Sequence, residues 1–562
     1  MKSTLILSIA LSLFQVAPSW AQNTTCPAVP LQTSWAYVAP PKNGKRDFGP
    51  PYVKQGKAPN GQPKKPNYRT GGRIKNFILT IPDGFGPASE VFARDFVQWQ
   101  NSDKGWNLQL ASDTVQVGSV RTRSTDSYVT DSAASATAYS CGIKTYNGAI
   151  GIDEDGNPCG TVLEAAKLAG YKTGLVVTSR ITHATPASFA SHIYDRDQED
   201  KIALQLVGYQ PVNVTGKPVA DILLGGGLGF FIPNTTAGSS RKDNLDLLSI
   251  ARKAGVNTFT TRADFDRLNK GNLPGGGLPY IGLFTNSHMS YEIDRNSTKE
   301  PSLLEMTKTA LNSLRKATRH SDKGYFIMIE ASRIDHAGHS NDLIGHLHDI
   351  IQYNEVVKYL KEWVDADPDG ETVLVGTADH ECAGLTLGGI VTTGEYQYNP
   401  APLAGGKHSS AYLASLWSSY NGPNPDSYLL DIFSQYGIND ANSTEISVAQ
   451  KYKTSSSNMD IHLGQSLTRR AMVKWSTTGH TAVDVNLIAY GPNTDKLIGN
   501  HDNTEIGLFI VNNLKLDLPK VTNLLNNPKN EQWLVEQVGR DKVQGGVKSR
   551  KRHHHGHDHT VM

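Results

Sequence analysis

Short apolar runs recur along the chain and are separated by polar or glycine-rich segments. These runs predict buried strands at residues 74–81, 173–178, 220–224, 325–330, 372–376 and 485–490. Two amphipathic segments, 161–170 and 303–317, predict helices, and Gly170 closes the first of them. Strands that alternate with helices are typical of an α/β fold with a mainly parallel central sheet and helices on both faces.

Polar side chains stand at the ends of several predicted strands. Ligands collect at the carboxyl ends of the strands in such sheets, so these side chains are candidates for a binding site. They are Asp83, residues 182–185, Glu330 with Asp335, and Asp379 with His380. His480, another candidate, comes shortly before the last predicted strand.

Thr130 and Asp131 precede a run of small residues at 132–138 (SAASATA). This pattern predicts a helix cap followed by a closely packed helix, with Ser132 in the first turn, where an anion is favoured. A serine there can be a nucleophile if its hydroxyl pKa is lowered. Asp131 is a weak base for an alcohol, so a metal ion is the better activator. Taken alone, the stretch is more typical of a capped, alanine-rich helix with no catalytic role.

Carboxylates and histidines occur together at the strand ends. Asp335 and His339 are four residues apart and can share one face of a helical turn, while Asp379 and His380 are adjacent. Each pair alone is more typical of a structural role, but their joint occurrence indicates a metal centre. Mixed Asp and His ligands suit zinc, and all-oxygen ligands suit magnesium. Two metal ions could stabilise both the attacking and the leaving oxygen of a phosphoryl displacement.

The composition is that of an ordinary globular protein. The chain has 562 residues, of which 38% are hydrophobic and 19% charged, and a formal net charge of +2. This charge gives no general electrostatic case for binding nucleic acid or a membrane surface. Residues 1–21 have the pattern of a secretory signal, since their apolar run is too short to span a bilayer. The last residues of the sequence show no apolar stretch of the kind that signals a lipid-linked anchor. We therefore expect no membrane anchor.

Acceptor sequons and cysteines add to the expectation of export. The sequons lie at Asn23, Asn213, Asn234, Asn296 and Asn442, and together with the signal they predict a secreted glycoprotein of the extracellular or cell-wall space. The cysteines are Cys26, Cys141, Cys159 and Cys382, which allow three sets of two bridges. The pair Cys141–Cys159 is closest in sequence and is the favoured disulfide. We expect Cys382 to be a buried free thiol beside the metal site.

Local composition predicts further segments. Residues 22–72 are rich in Pro, Gly, Lys and Asn and predict an extended arm. After this arm, residues 73–515 are expected to form the domain that carries the site, with an inserted region at about 385–475, rich in Gly, Ser, Asn, Tyr and Pro, that rims it. Residues 516–562 form a C-terminal segment whose basic, His-rich end predicts a disordered tail.

Several motifs resemble those of the alkaline phosphatase family and occur in family order. They are residues 82–86 (PDGFG), 131–138 (DSAASATA), 182–186 (THATP), 330–339 (EASRIDHAGH), 377–380 (TADH) and 479–481 (GHT). The resemblance covers about residues 70 to 515. It implies a phosphatase that hydrolyses small phosphate monoesters at alkaline pH, releases inorganic phosphate and forms a homodimer.

The resemblance also implies a role for each site residue. Ser132 would form a phosphoserine, and Arg196 would clamp two phosphate oxygens; without the family, an ion pair of Arg196 with Asp195 or Asp197 is the expectation. Two zinc ions and one magnesium ion per subunit are implied. The ligand sets are Asp335, His339 and His480 for one zinc, Asp83, Asp379 and His380 for the other, and Asp83, Thr185 and Glu330 for magnesium.

Two positions depart from the bacterial pattern and resemble the animal type. His183 replaces an Asp near the magnesium, and His336 replaces a Lys near the phosphate. Because His336 is neutral at alkaline pH, we expect easier product release and a high pH optimum; either histidine could instead have a supporting role behind the ligands. The alternatives to this interpretation are a phosphodiesterase or sulfatase of the same superfamily, and a secreted metal- or phosphate-binding glycoprotein without turnover.

Overall fold

The computed structural model describes residues 71–101, 107–209, 215–389 and 397–538. Its strands are β1 Asn76–Pro82, β2 Gln116–Arg121, β3 Lys172–Arg180, β4 Ile222–Gly226, β5 Asn257–Phe259, β6 Tyr280–Leu283, β7 Tyr325–Ala331, β8 Thr372–Thr377, β9 Glu381–Cys382, β10 Leu385–Leu387, β11 Val473–Trp475, β12 His480–Thr481, β13 Val485–Tyr490 and β14 Gly499–Asp502.

The helices alternate with these strands through most of the chain. They are α1 Pro87–Gln100, α2 Ser132–Cys141, α3 Val162–Leu168, α4 Ala184–Ala190, α5 Glu199–Leu206, α6 Leu247–Lys253, α7 Arg262–Asp266, α8 Leu303–Thr318, α9 Arg333–His339, α10 Leu343–Asp365, α11 Ser410–Ser419, α12 Pro425–Gln435, α13 Ser443–Lys451, α14 Ser456–Ala471, α15 Asn503–Leu514, α16 Leu518–Leu525 and α17 Pro528–Val538.

Ten strands form one sheet in the order β14-β2-β13-β8-β1-β7-β3-β4-β6-β5. The strand β13 pairs antiparallel with both of its neighbours, whereas the other pairs in the sheet are parallel. The predicted α/β fold with a mainly parallel sheet is therefore confirmed.

Helices cover both faces of the central strands. Side chains of opposite parity on a strand point to opposite faces. In β1, the ring of Phe77 lies 6.1 Å from that of Phe509 on α15, whereas the hydroxyl of Thr80 lies 3.1 Å from that of Tyr353 on α10. The residues of β1 from Phe77 to Pro82 are buried, which explains why this strand appears in the sequence as an apolar run without alternation.

Caps fix the starts of the helices that the sequence predicted. Thr161 and Glu164 form a capping box at the start of α3, and Ser302 and Glu305 form another at the start of α8. Each box satisfies backbone N–H groups that the first turn of a helix leaves without partners.

One short pair of strands connects the inserted region to the rest of the domain. Strand β10 pairs antiparallel with β11, so that Leu385 lies opposite Trp475. Helices α11 to α14 lie between these strands, so the segment that we expected to rim the site is mainly helical in its described part.

The predicted disulfide, free thiol and glycosylation sites can be compared with the structure where they lie among the described residues. Cys141 and Cys159 form a disulfide, and Cys382 is a buried free thiol. Asn234, Asn296 and Asn442 are exposed. The signal segment, nearly all of the arm, the His-rich tail, Cys26, Asn23 and Asn213 lie outside the described residues. Within the described ranges, no helix is both long enough and apolar enough to cross a membrane.

Candidate active site

Ser132 is the first residue of α2, and Asp131 caps that helix. The Oδ1 atom of Asp131 accepts a hydrogen bond from the N–H of Ala134 at 2.9 Å. Its Oδ2 atom accepts one from the N–H of Gly148 at 2.8 Å. These contacts hold the buried Ser132 hydroxyl at the positive end of the helix dipole, which favours an approaching anion.

Arg196 lies beside this helix start. Its Nη1 atom is 3.1 Å from Oδ2 of Asp131, and its Nη2 atom is 3.1 Å from Nε2 of His183. Among the described residues, its ion pair is therefore with Asp131 rather than with Asp195 or Asp197. The guanidinium carries five N–H donors in a planar fork, so it can hold these neighbours and still present donors to a bound oxyanion.

Asp335, His339 and His480 form the first cluster. The Nε2 atom of His339 lies 3.2 Å from Oδ2 of Asp335 and 3.1 Å from Nε2 of His480. The Nδ1 atoms of the two histidines lie 2.5 Å and 2.9 Å from the backbone oxygens of Thr478 and Thr130. A donated hydrogen bond from Nδ1 fixes the tautomer and leaves Nε2 free to bind a metal.

Asp83, Asp379 and His380 form the second cluster, which adjoins Ser132. The Nε2 atom of His380 lies 3.6 Å from Oδ1 of Asp83 and 3.4 Å from Oδ2 of Asp379. It also lies 3.1 Å from the Oγ atom of Ser132. The other Asp379 oxygen accepts hydrogen bonds from the N–H groups of Gly84 and His380, which fix that carboxylate in place.

Asp83 and Glu330 also belong to the third cluster. Ligand atoms of Asp83, His183 and Glu330 all lie within 4.8 Å of one another. The Oε2 atom of Glu330 accepts a hydrogen bond from Ser179 at 3.1 Å, and the Thr185 hydroxyl lies near the same carboxyl group. The structure thus adds His183 to the expected set of Asp83, Thr185 and Glu330.

Four neighbouring strands deliver these groups to one edge of the sheet. In the order β8-β1-β7-β3, Asp379 with His380 follows β8, Asp83 follows β1, Glu330 lies at the end of β7 just before α9, and His183 with Thr185 follows β3. The site residues predicted from sequence are therefore brought together, and ligand atoms of Asp83, Asp335 and His380 also lie within 4.8 Å of one another.

The electrostatics of the clusters fit a group of bound cations. Burial and the charges of neighbouring carboxylates raise the pKa of Asp83 well above its usual range, and burial raises the pKa of Asp379 to about 6 and that of Glu330 to about 8. Burial lowers the pKa of His380 to about 4, so its ring is neutral and able to bind a metal. Within the described residues, neither Asp83 oxygen receives a hydrogen bond from a donor group. Cations would compensate these buried charges.

His288 is part of the site, although the sequence analysis did not identify it. Its ring lies 4.2 Å from that of His336 and 5.4 Å from that of His183, centroid to centroid. Its Nε2 atom lies 2.6 Å from the Arg180 guanidinium, which pairs with Glu199. His288 follows β6, a strand that was not predicted. Recognising the short run 280–283 as a strand would have placed His288 at the same sheet edge.

Comparisons with known proteins agree with this geometry. A family model described as alkaline phosphatase matches residues 74–516. The chain is 42% identical over 467 residues to the alkaline phosphatase of Schizosaccharomyces pombe, covering 82% of this chain and 84% of that protein. It is 41% identical over 480 residues to the repressible alkaline phosphatase of Saccharomyces cerevisiae, covering 81% and 84%.

A solved structure gives the same result. The cold-active alkaline phosphatase from the psychrophile Shewanella sp. superposes with a TM-score of 0.64 at 30% identity, covering 80% of this chain and all of that one. The match of the family model over most of the chain, the identity to two yeast enzymes and the shared fold all point to one assignment. The chain belongs to the alkaline phosphatase family and is a phosphomonoesterase.

Proposed function

We propose that the chain hydrolyses phosphate monoesters through a phosphoserine on Ser132. The observation that carries this proposal is the position of the Ser132 hydroxyl at the start of α2, 3.1 Å from Nε2 of His380 and beside the second cluster. A hydroxyl in this place can reach a phosphate group that lies between the helix start and the Arg196 guanidinium.

The clusters support a site for two zinc ions and one magnesium ion. The mixed Asp and His sets suit zinc, and the set with Asp83, Thr185 and Glu330 suits magnesium, with His183 at its side. When bound, these ions would act as Lewis acids that favour ionised hydroxyl groups and screen the phosphate charge. Both oxygens of Asp83, Oε1 of Glu330 and Oδ1 of Asp335 have no hydrogen-bond partner among the described residues, which is consistent with such ligands.

The protein's own groups then account for the two displacements. The Ser132 hydroxyl gives up its proton to solvent as its Oγ atom attacks phosphorus. The bond to the leaving oxygen breaks on the opposite side, and the alcohol departs after taking a proton from solvent. Water next attacks the phosphoserine, the Oγ–phosphorus bond breaks, and inorganic phosphate leaves as Ser132 regains a proton. Arg196 holds phosphate oxygens through both steps, with Asp131 fixing the guanidinium from behind.

The mutation Ser132→Ala tests the proposal. We expect kcat/KM for a chromogenic phosphate monoester to fall roughly 10³-fold or more, because the obligatory nucleophile is lost. Ser135→Ala on the same helix is the matched control and should retain activity, since the Ser135 hydroxyl accepts its hydrogen bond from Asn503. The wild type should also carry a phosphoryl group on Ser132 after acid quenching. Retention of activity by Ser132→Ala would exclude the phosphoserine route.

Substrate controls separate the alternatives within the superfamily. A chromogenic phosphate diester and an aryl sulfate should be turned over much more slowly than the monoester. Faster turnover of either would favour a phosphodiesterase or sulfatase. A protein that binds phosphate and zinc but releases no phosphate from any monoester would instead be a binding glycoprotein.

The proposal extends to the setting of the enzyme. The signal pattern of residues 1–21, the exposed sequons at Asn234, Asn296 and Asn442, and the Cys141–Cys159 disulfide support a secreted glycoprotein. A catalytic domain over 73–515 and a homodimer follow the family. Light scattering coupled to gel filtration, before and after removal of N-linked glycans, tests both the dimer and the use of the sequons.

A further inference from the structure

Cys382 lies against the first cluster, although it is not among the three residues that define it. Its side chain is completely buried, and the Sγ atom, together with ligand atoms of Asp335, His339 and His480, belongs to one group whose members all lie within 4.8 Å of one another. A buried thiol alone is usually inert packing. Cys382 differs from such a thiol because three candidate metal ligands lie close to its sulfur.

The local fold directs the sulfur toward the cluster. Strand β9 pairs antiparallel with β12, and Cys382 lies directly opposite His480. Residues opposite each other in an antiparallel pair project from the same face, with their Cβ atoms about 4.5–5.5 Å apart. The Cys382 side chain therefore points to the side on which His480 presents its imidazole.

The helix α9 closes this side of the cluster around the sulfur. The thiol donates to the backbone oxygen of Asp335 at 3.5 Å. A Cβ atom added to Gly338 would lie 3.0 Å from the Sγ atom, so glycine at 338 leaves the room that the sulfur occupies. A second observation points to a ligand here, because the buried Oδ1 atom of Asp335 has no hydrogen-bond partner among the described residues.

We propose that Cys382 is a fourth protein ligand of the zinc held by Asp335, His339 and His480. The proposal rests on the proposed zinc site and adds a sulfur donor to it. Coordination forms a zinc–sulfur bond, and the thiol proton is released to solvent. Phosphate or water would then take a fifth position, since catalytic zinc can expand from four to five ligands.

A sulfur donor changes the metal preference of this position. Thiolate ligands select zinc and other soft ions, whereas carboxylate and water ligands suit magnesium and manganese. Cys382 therefore makes the first cluster the most zinc-selective of the three. The third cluster lies at the opposite extreme, because oxygen atoms dominate its donors.

X-ray absorption at the zinc edge of the full-length, zinc-loaded protein tests the assignment. We expect a sulfur scatterer at about 2.3 Å in addition to nitrogen and oxygen at about 2.0–2.2 Å. The sulfur shell should disappear in Cys382→Ser and Cys382→Ala and persist in the matched control Cys26→Ser. Histidines of the tail contribute only nitrogen, so they cannot imitate the signal. A wild-type spectrum without sulfur overturns the proposal, as does a sulfur shell that survives both Cys382 substitutions.

Cobalt(II) provides a second measurement that needs no variant to fold. Cobalt-loaded wild type should show sulfur-to-cobalt charge-transfer absorption in the near ultraviolet, and its absence counts against the ligand. Zinc content and monoesterase activity, measured on the same wild-type sample, keep the two proposals apart. Bound zinc and activity without a sulfur signal would overturn only the role of Cys382. A chain that neither binds zinc nor hydrolyses monoesters would overturn the proposed function itself.

Discussion

Buried carboxyl groups of this molecule lie in contrasting surroundings. Asp83 and Asp379 lie among other carboxylates, where a cation is the natural partner. Glu90 on α1 is equally buried, at 2% exposure, but neutral donors hold it: Ser112 Oγ donates to its Oε1 atom at 2.5 Å and Asn486 to its Oε2 atom. Burial, together with the nearby charge of Asp113, raises the pKa of Glu90 from 4.5 to about 7.

Glu90 should make stability depend on pH. Because its pKa is higher in the folded chain, folding favours the protonated form, and its contribution is largest below pH 4.5 and is lost as the pH rises toward 7. The substitution Glu90→Gln removes the titrating carboxyl group, and with it this loss of stability at higher pH. We expect the free energy of unfolding of the variant, relative to wild type, to increase by about 1–2 kcal/mol between pH 5 and pH 8. Denaturant unfolding at both pH values measures it.

The control for Glu90 is the exposed Glu154. Glu154→Gln makes the same change of charge on the surface, and its difference from wild type should be nearly equal at the two pH values. If Glu90→Gln and Glu154→Gln behave alike, burial of the Glu90 carboxyl does not perturb its titration.

At the scale of elements, the turn after β1 is packed directly onto the start of α9. Gly84 has a φ of +71°, and a Cβ atom there would lie 2.6 Å from Cα of Asp335. Its N–H also donates to Asp379. This glycine therefore allows ligand atoms of Asp83 and Asp335, which come from different elements and different clusters, to lie within 4.8 Å of each other.

Gly84→Ala should separate the turn from α9 and disturb the first two clusters together. We expect activity to fall about 10²-fold, because displacements near 1 Å at catalytic groups have effects of this size. Bound zinc should fall as well, which elemental analysis of the purified protein measures. Gly255→Ala isolates the backbone effect, since Gly255 has a φ of +85° but, apart from its chain neighbours, no described residue has an atom within 4 Å of the position that a Cβ atom would take. That control should retain zinc and activity, and a fully loaded, active Gly84→Ala would refute the argument.

The sequence predicted the interior elements better than the edges. Central strands such as β7 and β8 are buried on both faces, so they appear as apolar runs that need no context. The strands β2, β5, β6 and β14 were not predicted. Two of them, β5 and β14, are short edge strands with exposed residues, and β14 has the sequence GNHD, which carries no apolar signal.

The site residues were likewise easier to predict where they follow interior strands. Candidate ligands that directly follow buried strands, such as Asp83 and Asp379, could be placed from the pattern alone. The pairing of Arg196 with Asp131 joins residues 65 positions apart, and no local pattern indicates it. His288 was missed because its strand, β6, was missed. The direction of β13, antiparallel to both neighbours, also depends on the packing of the whole sheet.

For the whole molecule, the clusters link distant parts of the chain. The first cluster joins α9 to β12, and the second joins the turn after β1 to the segment after β8, so bound cations would connect four separate stretches of sequence. Without cations, the same stretches hold like charges together in a buried place. Metal binding and the stability of the domain should therefore be coupled.

Removal of the metals should destabilise the protein as well as inactivate it. A ligand present at 100 times its Kd adds about 2.7 kcal/mol to the free energy of unfolding, so loss of several ions should lower the Tm by roughly 5 °C or more. Scanning calorimetry with and without a chelator measures this shift, and monoesterase assays on the same samples follow activity. Addition of zinc should restore most of the Tm and most of the activity, and magnesium added afterwards should raise both further. The chelator saturated with zinc beforehand is the control and should shift nothing. A Tm that is indifferent to the free chelator, in a sample whose zinc has been removed, would mean that the buried carboxylates are held by the protein alone.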